Sequence, residues 1–200
     1  GAGAPALAIA AAPGLDGSTV NESTVLVNGT IVAPPNSGVT VNGMLATVGT
    51  DNQFSVNDVP LVAGANTITL VVTTQDGVTA SQAITINSSG AAAPFTVSID
   101  ESDGIAPHTV TISVTGGSTP VATIEFDVDG NGTVDVTTPG IPAAGVQATY
   151  SSAGTVRPRI TFKDASGTVL YTTTKQVHIV DPVDKYNLVK GAYTDMVNRL

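Results

Sequence analysis

The sequence predicts an all-β protein: two β-sandwiches in tandem, followed by a short C-terminal helix. Three observations lead there. Thr (29 residues) and Val (28) head the composition of this 200-residue chain, and β-branched side chains suit a pleated, half-buried surface. Short runs of alternating apolar and polar residues are broken by turn residues at roughly 8–12-residue intervals, the spacing of a sandwich. Lys and Glu, which usually cover helix surfaces, are scarce: no Lys occurs before position 163. The hydrophobic fraction of 42% is enough for packed cores and argues against global disorder.

Residues 1–88 read as the first sandwich. Ala4–Pro13 is the longest apolar stretch, about half of the roughly 20 residues that a membrane-spanning helix needs. Leu7 and Ile9 alternate ahead of an Asp16-Gly17 turn, so the stretch reads as a first strand; the tail of a signal peptide is the alternative. Val25 and Val27 alternate next. Pro34-Pro35-Asn36-Ser37-Gly38 is a loop by composition. Asn42-Gly43 then sits between two apolar runs. Both residues accept φ > 0, as a type I′ turn demands, and a two-residue loop pairs Val41 with Met44 and Val39 with Ala46. Phe54, Val56, Val59 and Leu61 follow, with a break in phase that predicts a bulge or bend. Ile68, Leu70 and Val72 form a clean strand. A Gln75-Asp76-Gly77 loop pairs Val72 with Ala80 and Ile68 with Ile84 without changing faces.

Residues 89–94 are small, polar and end in Pro, the composition of a linker. Residues 95–181 form the second sandwich: Phe95–Ile99, Val110–Val114, Ile124–Val128, Val134–Val136, Tyr150, Val156–Phe162 and Val169–Ile179. Each unit holds roughly 85 residues, enough for its own core. Residues 182–200 change period. Tyr186, Val189, Tyr193, Met196, Val197 and Leu200 recur at three and four, with Asp181 as N-cap and Pro182 at the first helical position. No stop signal follows, so this stretch reads as the start of a further region; a terminal helix docked on the second sandwich is the alternative.

Charge excludes several classes of function. The formal charge is −9, and all seven Lys and Arg lie after position 156. Residues 1–156 hold twelve acids and no base, whereas 157–200 hold four acids and seven bases. Nucleic acid is a poor partner for such a chain, and so is an anionic membrane surface. No membrane insertion is expected. The absence of Cys removes disulfides, zinc–thiolate sites and thiol nucleophiles.

Residues 5–88 resemble the bacterial immunoglobulin-like module known as the glucodextranase domain-B-like family. The resemblance rests on Asp16-Gly-Ser-Thr-Val-Asn-Glu-Ser-Thr-Val, Val27-Asn-Gly-Thr-Ile, Val39-Thr-Val-Asn-Gly, Phe54 before Val59-Pro-Leu61, Gly64-Ala-Asn-Thr-Ile-Thr-Leu70 and Asp76-Gly77. It implies an accessory or spacer domain of a secreted bacterial protein, sometimes beside a glycoside hydrolase, without catalytic residues. Residues 95–181 look like a PKD domain, another immunoglobulin-like sandwich. That likeness rests on Ala106-Pro107 before Val110-Thr-Ile112, Phe126-Asp-Val-Asp-Gly-Asn-Gly132, Thr149-Tyr150 with Gly154, Ile160-Thr-Phe162, and Asp164 with Gly167. Phe126 stands where that family often has Trp, and its frequent His ahead of the Tyr is missing. The resemblance implies an extracellular spacer, and it implies that the Tyr150 hydroxyl closes the loop before the next strand, as in immunoglobulin corners.

One motif carries chemistry. Asp127-Val-Asp129-Gly-Asn131-Gly132-Thr133-Val-Asp135 matches the first nine places of a calcium loop, but Thr138 stands where the bidentate acid belongs. The inner face should carry Phe126, Val128, Val134 and Val136. Only a loop centred on Asn131 achieves this, and it sets Asp127 opposite Asp135, both outward, with Asp129 beside them. Like charges so placed repel, and no base is near in sequence. Calcium would relieve them, with side-chain oxygens from Asp127, Asp129, Asn131 and Asp135 and a carbonyl from Thr133. An Asx-rich turn with solvated acids fits the same residues.

Catalysis has little to stand on. His108 and His178 are the only histidines, and both read as surface strand positions. Glu125 is the one Glu inside a predicted strand, and Glu101 with Asp103 reads as a loop rather than an acid/base pair. Sugar binding usually uses exposed flat aromatics. The chain has no Trp, its Phe residues fall on inward positions, and Tyr171 is the one sandwich aromatic with a claim to exposure. The expectation is a non-enzymatic extracellular spacer or adhesion module of a bacterial secreted or cell-surface protein, with the periplasm as the other compartment. A carbohydrate-binding accessory module of an extracellular hydrolase is the alternative. The expected partners are neighbouring domains of a larger protein, a polysaccharide or another surface protein.

Overall fold

The computed structural model of the protein describes residues 6–117 and 119–183. β-strands dominate them. They divide into two units, one of Ala92–Ile179 and the other of the described residues on either side of it, each around its own apolar core.

The first unit contains β1 (Ala8–Ala11), β2 (Thr19–Val20), β3 (Thr24–Val32), β4 (Gly38–Val41), β5 (Met44–Leu45), β6 (Thr47–Val48), β7 (Gln53–Pro60), β8 (Gly64–Thr73) and β9 (Thr79–Ser88). They form two sheets, in the orders β1-β3-β7-β6 and β2-β9-β8-β4-β5. Alternation decides what each strand buries. Val39, Val41, Phe54, Ile68, Leu70, Val72, Ile84 and Ile86 point into the core, and full burial of a side chain of this size stabilises by about 1.5–3 kcal/mol. The predicted hairpin is present: Val41 pairs with Met44, the Ala46 N–H donates to the Val39 carbonyl at 2.9 Å, and Asn42 and Gly43 have φ of 48° and 79°. Met44 is nevertheless exposed, because β5 is an edge strand with nothing beyond it in the sheet. β8 pairs with β9 in the expected register, Val72 with Ala80 and Ile68 with Ile84. The phase break in β7 is a bulge: Val25 faces Val59 and Val27 faces Val56, so two residues of β7 oppose one of β3.

Sequence reading missed β2. The chain leaves β1 at the edge of one sheet, turns at Asp16-Gly17 and joins the other sheet as β2, parallel to β9. The turn itself docks on β9. The Thr85 N–H donates to Asp16 Oδ1 at 2.8 Å, and the Gly17 N–H donates to the Thr85 carbonyl at 2.7 Å.

The second unit contains β10 (Thr96–Ile99), β11 (Asp103–Ile105), β12 (His108–Thr115), β13 (Thr123–Asp127), β14 (Val136–Pro139), β15 (Val146–Tyr150), β16 (Gly154–Val156), β17 (Arg159–Lys163), β18 (Val169–Thr174) and β19 (Val177–Val180). Its sheets run β10-β12-β15, β11-β19-β16 and β14-β13-β17-β18. The single strand expected over Val156–Phe162 is two strands, divided at Arg157-Pro158, where Pro158 has no N–H to give a ladder. The one expected over Val169–Ile179 is likewise divided, at Lys175-Gln176. Ile124, Phe126, Ile160 and Phe162 form the fully buried face between β13 and β17. Phe95 stacks on Phe162 with ring centroids 4.3 Å apart, and Tyr171 leans on Phe162 at 5.5 Å.

One expectation fails here, and another falls mostly outside the described residues. Val134, expected on the inner face, is 45% exposed, because the ladder begins only at Val136 and leaves the loop before it free of the pleat. The helix expected over 182–200 lies outside the described residues except for Pro182 and Val183, which are helical. What the structure does describe is the predicted cap bond, the Val183 N–H donating to Asp181 Oδ1 at 2.7 Å.

Candidate functional site

The acidic loop lies between β13 and β14. Phe126 pairs with Val136, which is the register expected for a loop centred on Asn131. Asp127 ends β13 but does not point freely to solvent. It is 7% exposed, a correction to the outward placement read from alternation, and the reason is that the loop wraps it. Its Oδ1 accepts the N–H groups of Gly130 at 2.8 Å and Asn131 at 3.0 Å, and its Oδ2 accepts that of Gly132 at 2.8 Å. Asp129 accepts the Asn131 backbone N–H at 3.0 Å and its carboxamide N–H at 2.9 Å. Asn131 Oδ1 accepts the Thr133 N–H at 2.7 Å, and Asp135 Oδ2 accepts the Val128 N–H at 2.8 Å. The acids are therefore tied into the turn, and their repulsion is offset by oriented backbone dipoles.

Two neighbours complete the setting. The Tyr150 hydroxyl, on β15, donates to the Val128 carbonyl at 2.7 Å, so it closes the β13–β14 loop rather than the loop before the strand that follows it. Burial pushes its phenol well above the ordinary tyrosine range, and the negative charges of Asp129 and Asp135 add to this. Gly130 lies so close to the break between β16 and β17 that a Cβ on it would meet the Arg157 carbonyl at 2.4 Å. Just beyond, Arg159 of β17 is the register partner of Asp127. A cation thus stands across the ladder from an acid that has no base near in sequence. Only the pairing of β13 with β17, distant in sequence, reveals it.

Carboxylate oxygens of Asp127, Asp129 and Asp135 lie within 4.8 Å of one another. Each hydrogen-bonded carboxylate oxygen keeps a further lone pair, so the group can present hard oxygens to a divalent cation. Of the five residues singled out from the sequence, these three converge. Asn131 uses its carboxamide within the loop, and Thr133 supplies an N–H to Asn131.

The histidines are not surface residues. His178 is fully buried because β19 is covered on both faces, and His108 is nearly so, with its ring against Gly104 of β11. Thr155 is the ladder partner of His178, with Oγ1 3.1 Å from its Nδ1. Arg157 Nε donates to Gln176 Oε1 at 3.2 Å, which turns the Gln176 amide nitrogen toward His178 Nε2, 3.3 Å away. His108 lies 3.2 Å from the Glu101 carbonyl through Nε2. Glu125 forms an ion pair with Lys163 at 2.6 Å, a charged and partly buried setting unlike the apolar pocket of a glycosidase acid. Tyr171 is half-buried against Phe95 and Phe162 and offers no free platform for a sugar.

Comparison with known proteins bears mainly on the first unit. No curated protein matches the chain. Among solved structures, the fibronectin(III)-like modules of Clostridium thermocellum CbhA are 10% identical, at a TM-score of 0.32, over 87% of this chain and 95% of that one. Dimeric latent PorU from Porphyromonas gingivalis is 13% identical, at a TM-score of 0.43, over 88% of this chain and 20% of that one. SGBP-B of the Bacteroides ovatus mixed-linkage glucan utilization locus, solved with a mixed-linkage heptasaccharide, is 18% identical, at a TM-score of 0.25, over 81% of this chain and 42% of that one. This chain thus spans less than two thirds of the length of the last two. Residues 5–89, almost the whole of the first unit, match the family model of glucodextranase, domain B.

Proposed function

We propose that the chain is a non-catalytic, immunoglobulin-like accessory segment of a secreted or cell-surface bacterial protein, holding a neighbouring domain at a distance or contributing to adhesion. The observation that carries this reading is the domain-B family match over residues 5–89. The buried, hydrogen-bonded state of both histidines and the ion-paired state of Glu125 agree with it. A PKD-like second unit and a calcium ion on the Asp127–Asp135 loop are the finer parts of the same proposal; the convergence of three carboxylates supports the ion.

The alternative is a carbohydrate-binding accessory role, favoured by the same family match, since the family is described as a domain of a glucan-cleaving enzyme. A glycan array and a polysaccharide pull-down with the full chain separate the two. No retention on neutral or acidic glucans supports the spacer. Specific binding at millimolar or lower Kd overturns it in favour of the carbohydrate module.

A further inference from the structure

The chain contains three Asn-Gly pairs, Asn28-Gly29, Asn42-Gly43 and Asn131-Gly132. This dipeptide is prone to intramolecular attack: the glycine amide nitrogen adds to the Asn side-chain carbonyl carbon, ammonia leaves, and a succinimide forms. Water then opens the ring to aspartate or isoaspartate. Glycine favours the reaction because no Cβ shields its nitrogen. On sequence alone the three pairs are equivalent, yet the fold places them in three different settings.

Gly29 lies in β3 between two partner strands, paired with Ala11 and Phe54. It is so enclosed that a Cβ there would meet the Ala10 carbonyl at 2.0 Å. Attack at Asn28 requires β3 to leave the sheet. At Asn131 the side-chain nitrogen is held by Asp129. The attacking nitrogen is engaged too, since the Gly132 N–H donates to Asp127. Asn42 is set apart by its exposure and by the open space at Gly43, not by a free oxygen. It and Gly43 form the exposed tip of the β4–β5 hairpin, and nothing lies within 4 Å of the space beside Gly43. The contact to its side-chain oxygen is the Thr69 N–H at 2.7 Å, which polarises the carbonyl and stabilises the oxyanion that attack creates.

We infer that Asn42 is a built-in modification site of this protein, where the side-chain amide converts spontaneously to aspartate or isoaspartate while Asn28 and Asn131 are protected by the fold. The aspartate product keeps an acceptor for the Thr69 N–H. The isoaspartate product inserts a methylene into the main chain between residues 42 and 43. The two-residue turn then loses its length, and the pairing of β5 with β4 goes with it.

The test is peptide mapping by mass spectrometry after incubation of the full chain at mildly alkaline pH, run folded and in concentrated urea. In urea the three sites should react at similar rates. In the folded protein the product at Asn42 should lead the other two by at least about tenfold, equivalent to roughly 1.4 kcal/mol of barrier. Asn28 or Asn131 reacting as fast as Asn42 in the folded chain overturns the inference. So does a silent Asn42 in the folded chain when it reacts in urea. N42D serves as the chromatographic standard for the aspartate product.

Discussion

The two units solve the same packing problem with different materials. The first encloses aliphatic residues around Phe54, and its buried polar residues are Ser55 and Ser88. The second encloses an aromatic group, Phe95, Phe162 and Tyr171, together with His108, Asp127, Lys175, Gln176 and His178. Charge differs in the same direction, since no Lys or Arg occurs before Arg157. In the first unit an acid must find backbone donors, as Asp16 does at Thr85 and Asp51 at Gln53. The second unit has bases, and Glu125 takes one, yet Asp100, Asp127, Asp135 and Asp164 still accept backbone N–H groups. Aspartate in this protein is first a turn builder. The acidic loop extends that habit, and any cation bound there adds to a turn already held by hydrogen bonds.

The largest expected effect tests whether the units are separate cooperative bodies. Phe162→Ala should cost about 3–5 kcal/mol, and Phe54→Ala a similar amount. In calorimetry each variant should lower one transition and leave the other in place; a joint shift would break the comparison. Next is Tyr150→Phe, which leaves the Val128 carbonyl without its donor and should cost the second unit about 1–3 kcal/mol in urea unfolding. A loss below about 0.5 kcal/mol, the size of an ordinary surface change, would show that the hydroxyl does not hold the loop.

Calcium comes third. Without the twelfth-place acid, Kd should be on the order of 10⁻⁴–10⁻³ M. A few multiples of that concentration should stabilise the second unit by about 1 kcal/mol. Magnesium should do much less, and Asp129→Asn should blunt the response. An unchanged melt with no heat in titration calorimetry would leave the loop a turn and nothing more.

The smallest effect is acid sensitivity. The Thr111 N–H holds the Asp100 carboxyl below its ordinary value of 3.8, and the Ser166 hydroxyl does the same for Asp164. Because both are depressed on folding, their contribution is present above pH 3.8 and is lost as pH falls through the lower folded values. Asp100→Asn should flatten the decline of the second unit's melting temperature below pH 4. An unaltered slope would remove Asp100 from the account.

Local signals were legible wherever the physics is local. Asn42-Gly43, the Gln75–Gly77 loop, the bulge in β7 and the register around Asn131 each follow from turn chemistry and two-residue periodicity. What escaped depends on strands far apart in sequence. The parallel pairing of β2 with β9 brings together Thr19 and Asn87. Arg159 meets Asp127 only through the β13–β17 ladder. Alternation also placed His178 outside, because periodicity assigns a residue to a face and is silent on whether that face is covered. The convergence of Asp127, Asp129 and Asp135 was readable from spacing; the enclosure of Asp127 by three N–H groups was not.

The parallel pair β2–β9 has a mechanical consequence. These are the second and the last strands of the first unit, and they run in the same direction. Their ladder is extended by bonds from the Asn87 N–H to the Ser18 carbonyl and from the Ser89 N–H to the Val20 carbonyl, with the Ser23 N–H reaching the Ala91 carbonyl just beyond. A pull that draws the chain before β2 one way and the chain after β9 the other slides the two strands lengthwise. Every bond across the pair is then loaded at once, perpendicular to the force, and none can open alone as in an unzipping hairpin. Tension that reaches β2 and β9 is thus met by shear across the pair, the arrangement in which a few hydrogen bonds resist the most.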